Sequence, residues 1–210
     1  MLTSDQNRKI NEIVEEFKEA ADFYRMEYSE DLMGMFRDFG CMLLLKCKVD
    51  TEGKADLERL LEGRHKLKGT VKRQLMTVSE ELAQLWAPGE QDGSGDTGEY
   101  EGSQNVREMF QTALEEIFHF CLYSKGGKNR YLLPEETAKP LLRLLTFPEG
   151  MMAGNEGLVV LDTQCGAGSA LMAASRYLKN LRLMGYEKDE EMWAAAVIMS
   201  QLSGLEMELH

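Results

Sequence analysis

The sequence predicts an α/β chain in two parts: a helical N-terminal domain, followed by an incomplete α/β module with two or three parallel strands. Three observations carry this. Apolar residues recur at helical spacing through the first half of the chain. The wholly apolar run Leu158-Val159-Val160-Leu161 breaks that period, and a Gly-x-Gly turn follows it directly. The domain boundaries fall at 1–87 for the helical domain, 88–104 for a linker and 105–210 for the module.

From about Ser4 to Tyr24, Ile10, Ile13, Val14, Phe17, Ala21 and Tyr24 repeat at three- and four-residue steps, one apolar face of a helix. A second segment, about Ser29 to Lys48, carries Leu32, Met35, Phe36, Phe39, Met42 and Leu43 and is apolar enough to be largely buried. A third helical stretch is expected from about Lys54 to Trp86. There Val71, Leu75, Val78, Leu82 and Leu85 form a packing seam, Gly63 and Gly69 are points of bending, and Pro88 is the stop.

Residues 88–104 hold glycines and acids but no Lys or Arg, the composition of a solvated linker. A helix from about Gln104 to Tyr123 follows, ended by Gly126-Gly127, and Pro134 is placed to start a short one. Beyond Gly157 the apolar run suits a strand buried on both faces of a parallel sheet. A helix from about Ser169 to Asn180, a strand from about Leu181 to Tyr186 and a helix from about Glu190 to Ser203 come next. Residues 205–209 can open a third strand.

The bulk properties narrow the function classes. A formal net charge of −12 makes the chain alone a poor DNA binder, because neutralising phosphates takes Lys and Arg. No apolar run reaches membrane-spanning length and the N-terminus is polar, so a cytoplasmic protein without a membrane partner is expected. Cys41, Cys47, Cys121 and Cys165 form no CxxC pair, and the histidines lack metal-ligand spacing. Reduced thiols and no metal are the expectation.

The chemistry concentrates in Asp162-Thr163-Gln164-Cys165-Gly166-Ala167-Gly168. A strand brings an acid to its C-terminal end and a Gly-rich turn opens a helix, where open α/β sheets bind ligands. Glu187 ends the next strand and suits the hydroxyls of a ribose-bearing cofactor. A dinucleotide fingerprint would carry a third glycine where Leu171 stands. Asp162 would also repel a pyrophosphate, yet it can receive the cationic amino end of S-adenosylmethionine, so that is the cofactor expected.

These residues resemble those of the N6-adenine DNA methyltransferases, especially the modification subunit of type I restriction systems. The family's Asp-Pro-x-Cys-Gly-Ser-Gly turn is similar to 162–168, and its second acidic motif to Gly185-Tyr186-Glu187-Lys188-Asp189. Its aromatic-Thr-Pro segment is similar to Tyr131-Leu132-Leu133-Pro134, with Leu133 in place of Thr. Thr163 and Ala167 stand where the family has Pro and Ser. The resemblance covers roughly 105–210. It implies a Rossmann-like S-adenosylmethionine-dependent methyltransferase module whose cofactor site takes Tyr131, Asp162, Cys165, Gly166, Ala167, Gly168 and Glu187.

The family's catalytic Asp/Asn-Pro-Pro-aromatic motif is absent before His210, so this chain alone is expected to be inactive. It would reach DNA as part of an assembly, with the missing C-terminal methyltransferase portion or a partner subunit. Self-association through an open sheet edge is a further expectation. The alternative is a non-catalytic methyltransferase-like protein serving as an interaction module. Cys165 has no His near it in sequence and reads as turn filler rather than nucleophile, Tyr131 reads equally as a loop anchor, and Trp193 as core. Arg64, Lys68 and Lys72, four apart, would line one helical stripe, either facing a phosphate backbone or simply solvated.

Overall fold

The computed structural model describes residues 2–50, 54–62, 67–86, 100–124, 137, 140, 158–177 and 181–210. The linker expected at 88–104 lies outside this set except for 100–104, which are helical. The segments around Gly126 and Pro134 also lie outside it.

Two compact units emerge. The first joins α1 (Ser4–Glu27), α2 (Met33–Lys46), α4 (Gly69–Ala83) and α5 (Tyr100–Leu122). Helix α1 starts on a capping box: the Thr3 amide donates to Gln6 Oε1 at 2.8 Å and the Gln6 amide to Thr3 Oγ1 at 3.3 Å. Its apolar stripe (Ile10, Ile13, Val14, Phe17, Ala21, Tyr24) is buried as the spacing predicts. Phe17 meets Phe39 edge-on at 5.0 Å and Phe36 lies 5.1 Å from Phe118, so aromatic pairs from three helices interlock at the centre. On α5, Cys121 faces this core while His119 faces solvent. Met33 and Met35 are fully buried and Met42 half-buried.

The third stretch is not one helix. Its first part, α3 (Ala55–Glu62), belongs to the second unit, and α4 begins only at Gly69. Lys68 before it is extended, at φ −130° and ψ 169°, and Gly69 turns the chain at φ +59°, a conformation a side chain would resist. The glycine breaks the helix rather than bending it.

The second unit holds α3, β1 (Leu158–Asp162), α6 (Ser169–Tyr177), β2 (Leu181–Gly185), α7 (Glu190–Ser203) and β3 (Met207–Leu209). All three strands are parallel, in the order β1-β2-β3. Helix α6 packs on β1 and β2, and α7 on β3. Both limits of α7 were readable: Asp189 caps its amides at Glu191 and Met192, and Gly204 ends it at φ 68°.

The helices cover one face of the sheet, carrying Leu183, Gly185 and Leu209. On the other face Val159 and Leu161 are 47% and 55% exposed, beside the exposed Arg182–Glu208 ion pair. The expectation that β1 is buried on both faces is therefore corrected. An apolar run is compatible with either environment, and only one face has helices packed on it among the described residues.

Helix α3 packs against α7. Leu57 and Leu60 on α3 are both buried, each burial contributing about 1.5–3 kcal/mol. The Arg59–Glu190 pair, 3.7 Å apart and mostly exposed, adds at most about 1 kcal/mol. No helix among the described residues is long and apolar enough to cross a membrane.

Candidate functional site

Parallel pairing sets Asp162 opposite Gly185, so Asp162 at the end of β1 and Glu187 just after β2 emerge at the same end of the sheet. The turn after β1 is stitched to the chain after β2. The Tyr186 amide donates to the Asp162 carbonyl at 2.9 Å, and the Cys165 amide to the Tyr186 carbonyl at 3.0 Å. Asp162 Oδ1 accepts the Gln164 amide at 3.0 Å, an Asx turn that starts the reversal. Gly166 and Gly168 then adopt left-handed backbone at φ +56° and +80°. The Gly168 carbonyl accepts the Met172 amide at 2.9 Å and so opens α6.

Glu187 closes the arrangement. Its Oε2 accepts the Gly166 amide at 2.9 Å, and its Oε1 accepts the Asp189 amide at 2.8 Å. One carboxylate thus braces the glycine turn and the start of α7 together. A carboxylate offers roughly four lone-pair positions, so these two bonds leave acceptor capacity for a further donor. The half-buried Asp162 and Glu187 flank Gly166, and the turn between them carries no lysine or arginine.

Cys165 is buried, and its thiol is pushed up to about 11 by burial first and by the Asp162 and Glu187 charges second. At neutral pH it is a protonated thiol, in keeping with a turn filler and not with a nucleophile. Ala167 is buried beside it.

Gly185 is read in the sequence only as the start of the second acidic motif, and the structure gives it a packing role as well. A Cβ placed there would come within 2.7 Å of Cys165 Sγ, 2.9 Å of Leu209 Cδ2 and 3.0 Å of Leu171 Cδ1. The absent side chain lets turn, β3 and α6 converge, and an isolated glycine in a strand pattern is the signal that pointed to it. Asp189, quoted in the same motif, also caps α7, and an acid just before an apolar helix is a capping signature. Trp193 is buried on α7, with the Arg59 guanidinium 4.1 Å from its ring centre.

Tyr131 and Arg64 lie outside the described residues. Lys68 and Lys72 are both exposed, Lys72 within α4 and Lys68 just before it. Lys68 precedes the helix in extended conformation, its amide donating to the Tyr28 hydroxyl at 3.0 Å.

No protein-family model and no curated protein matches the chain. Among solved structures, the chain is similar to a Listeria monocytogenes protein provisionally assigned as a class I S-adenosylmethionine-dependent methyltransferase. That match has 15% identity and a TM-score of 0.53, and covers 97% of this chain and 53% of that one. A methyltransferase subunit of a type I restriction-modification system from Streptococcus thermophilus matches at 16% identity and TM-score 0.46, covering 96% of this chain and 58% of that one. The chain spans about half the length of each. The first likeness shows the fold: a helical region joined to a Rossmann-like α/β unit.

Proposed function

We propose that this chain is the cofactor-holding portion of an S-adenosylmethionine-dependent methyltransferase. The observation that carries this is the pair Asp162 and Glu187, presented on either side of Gly166 at the ends of adjacent parallel strands. The residues fit the group. Asp162 matches its cationic amino end, Glu187 retains acceptor capacity for ribose hydroxyls, and Gly166 and Gly168 supply the left-handed backbone that the turn between them needs. When bound, the cofactor would supply a methyl group activated by its sulfonium centre. Cys165 and Ala167 shape the floor of the turn, and Tyr131 is the aromatic neighbour that the motif resemblance adds.

The finer reading is adenine-N6 methylation of DNA, supported by the resemblance of 162–168 and 185–189 to that family's motifs. The net charge of −12 favours DNA contact through an assembly, with the remaining catalytic elements on a further methyltransferase portion or partner subunit. The exposed Val159 and Leu161, on a strand type that such folds normally cover on both faces, favour an assembled state. That same exposure supports the second reading, a non-catalytic interaction module.

Calorimetric titration of the purified chain with S-adenosylmethionine, with Asp162→Ala as control, tests the cofactor reading. Binding that the control abolishes supports it. Absence of binding by the folded wild-type chain shifts the function to the interaction module.

A further inference from the structure

Helices α3 and α7 pack as an antiparallel pair. At one end Lys54, just before α3, donates from Nζ to Gln201 Oε1 at 3.2 Å, late in α7. At the other end Arg59 meets the first turn of α7. Its guanidinium lies 4.1 Å from the ring centre of Trp193, and its Nη2 is 3.7 Å from Glu190 Oε1. The ion pair is mostly exposed and weak, so the contact with the ring is the stronger of the two. Trp193 is 4% exposed, and its indole Nε1 has no hydrogen-bond partner among the described residues. A buried indole is usually pinned through that donor. Here packing sets the ring, with Arg59 over one face of it.

The first turn of α7 is tied to the glycine turn by two routes. The Trp193 amide donates to the Asp189 carbonyl at 2.8 Å and closes the helix on its cap residue. The Asp189 amide donates to Glu187 Oε1 at 2.8 Å, and the other oxygen of Glu187 holds the Gly166 amide. Beside Trp193, the Cε of Met192 stands 3.6 Å from where a Cβ on Gly166 would be. A shift of this one helical turn therefore reaches Gly166 through a carboxylate and through a methionine. The residue that holds the turn comes from elsewhere, since α3 lies between α2 and α4 in sequence, far upstream of α7.

We propose that Arg59 is a positioning residue for the cofactor site. By holding Trp193 it fixes the first turn of α7, and with it the direction in which Glu187 offers its remaining lone pairs to ribose hydroxyls. This role rests on the cofactor reading above and adds to it a residue from outside the strand-turn-helix unit. Arg59 acts through Trp193 and Glu187 rather than by contact with the ligand. A guanidinium suits the task, because its planar face stacks on an aromatic ring while its edge reaches a carboxylate. If α3 merely added buried area to the unit, loosening either end of the helix pair would have the same effect. Positioning by Arg59 requires an effect from its own end alone.

The test measures S-adenosylmethionine binding by calorimetry, and amide exchange at Gly166 and Asp189, in full-length wild type, Arg59→Ala, Arg59→Lys and Lys54→Ala. Arg59→Ala should weaken binding and speed exchange at both amides by about two- to fivefold, the equivalent of one partly exposed cation–π contact. Arg59→Lys keeps a cation able to lie over the ring and should recover part of both. Lys54→Ala, which loosens only the far end of the pair, should match wild type. In a Glu187→Ala background, adding Arg59→Ala should speed Gly166 exchange by less than it does in wild type. A folded wild-type chain that does not bind the cofactor removes the cofactor reading and this role with it. Wild-type binding with an unaltered affinity in Arg59→Ala overturns the role of Arg59 alone. So does a Lys54→Ala chain that loses as much affinity, or an Arg59→Ala effect on Gly166 of undiminished size without Glu187.

Discussion

The carboxylate of Glu187 accepts the amide of Gly166 at 2.9 Å, joining the end of one strand to the turn that follows its neighbour. Because the other oxygen accepts the Asp189 amide at 2.8 Å, a single side chain sets the spacing between the glycine turn and helix α7.

Removing that brace leaves two half-buried amides without their charged acceptor. Glu187→Ala should lower unfolding stability by about 1.5–3 kcal/mol, and Glu187→Gln, which keeps one acceptor oxygen, by less. Amide exchange should speed at Gly166 and Asp189 before it does in β1. Unchanged exchange at both sites would mean the two bonds contribute nothing to the turn.

Gly185→Ala places a methyl group into Cys165 Sγ, Leu209 Cδ2 and Leu171 Cδ1. Overpacking of this kind costs about 1–3 kcal/mol. Adding Cys165→Ala removes the shortest of the three clashes, so the double variant should recover part of the loss. Chemical denaturation of the two single variants and the double variant measures the coupling, and strictly additive losses would show that the sulfur is not the obstacle.

At Gly166 the nearest atom to an added Cβ is Met192 Cε, at an ordinary 3.6 Å. Space is therefore available and only the φ of +56° resists substitution. Gly166→Ala should cost about 1 kcal/mol, and Gly166→Asn less, since asparagine visits the left-handed region more readily. Equal losses for the two would point to packing instead of backbone conformation.

What the sequence made legible follows from how local each signal is. The limits of α7 depend on Asp189 and Gly204, whose cap chemistry needs no knowledge of the rest of the fold. The strand-turn-helix at 158–177 is equally local, and the structure brings Asp162, Gly166 and Glu187 together as the spacing implied. Partnership was less readable. The apolar faces of α3 and α5 announce helices but not neighbours, and α3 joins α7 while α5 joins α1 and α2. The break at Gly69 was masked because three- and four-residue spacing of apolar residues continues across it. The one-sided cover of β1 was hidden for a similar reason: Val159 and Leu161 are as apolar as residues buried on both faces.

Cys165 should resist alkylation near neutral pH in the folded chain. Burial and the neighbouring Asp162 and Glu187 charges push its thiol up to about 11, so the thiolate that attacks the reagent is scarce. Cys47, pushed up to about 12 by burial, and Cys121, fully buried, should be slower still or equally slow. Mass spectrometry after brief iodoacetamide treatment, native and denatured, reads this directly. Rapid native modification at Cys165 would place it in an opened turn rather than the packed one.

Asp56 gives the chain a pH dependence of definite sign. Burial raises its carboxyl above the ordinary 3.8, more than His210, Arg59 and the Leu209 amide lower it. Below 3.8 both folded and unfolded states hold the proton, and the group has no effect on stability. As pH rises from 3.8 through the raised folded value, the folded state holds more proton than the unfolded one, so stability falls; above that window the full cost persists. Asp56→Asn removes the ionisation and keeps an acceptor for Leu209. The stability of the variant minus that of wild type should therefore grow with pH across this window and level off above the raised folded value. Urea midpoints at a series of pH values, compared as a difference so that the other carboxylates cancel, give the curve. A difference that stays flat or shrinks with rising pH would mean that the charged partners outweigh burial at Asp56.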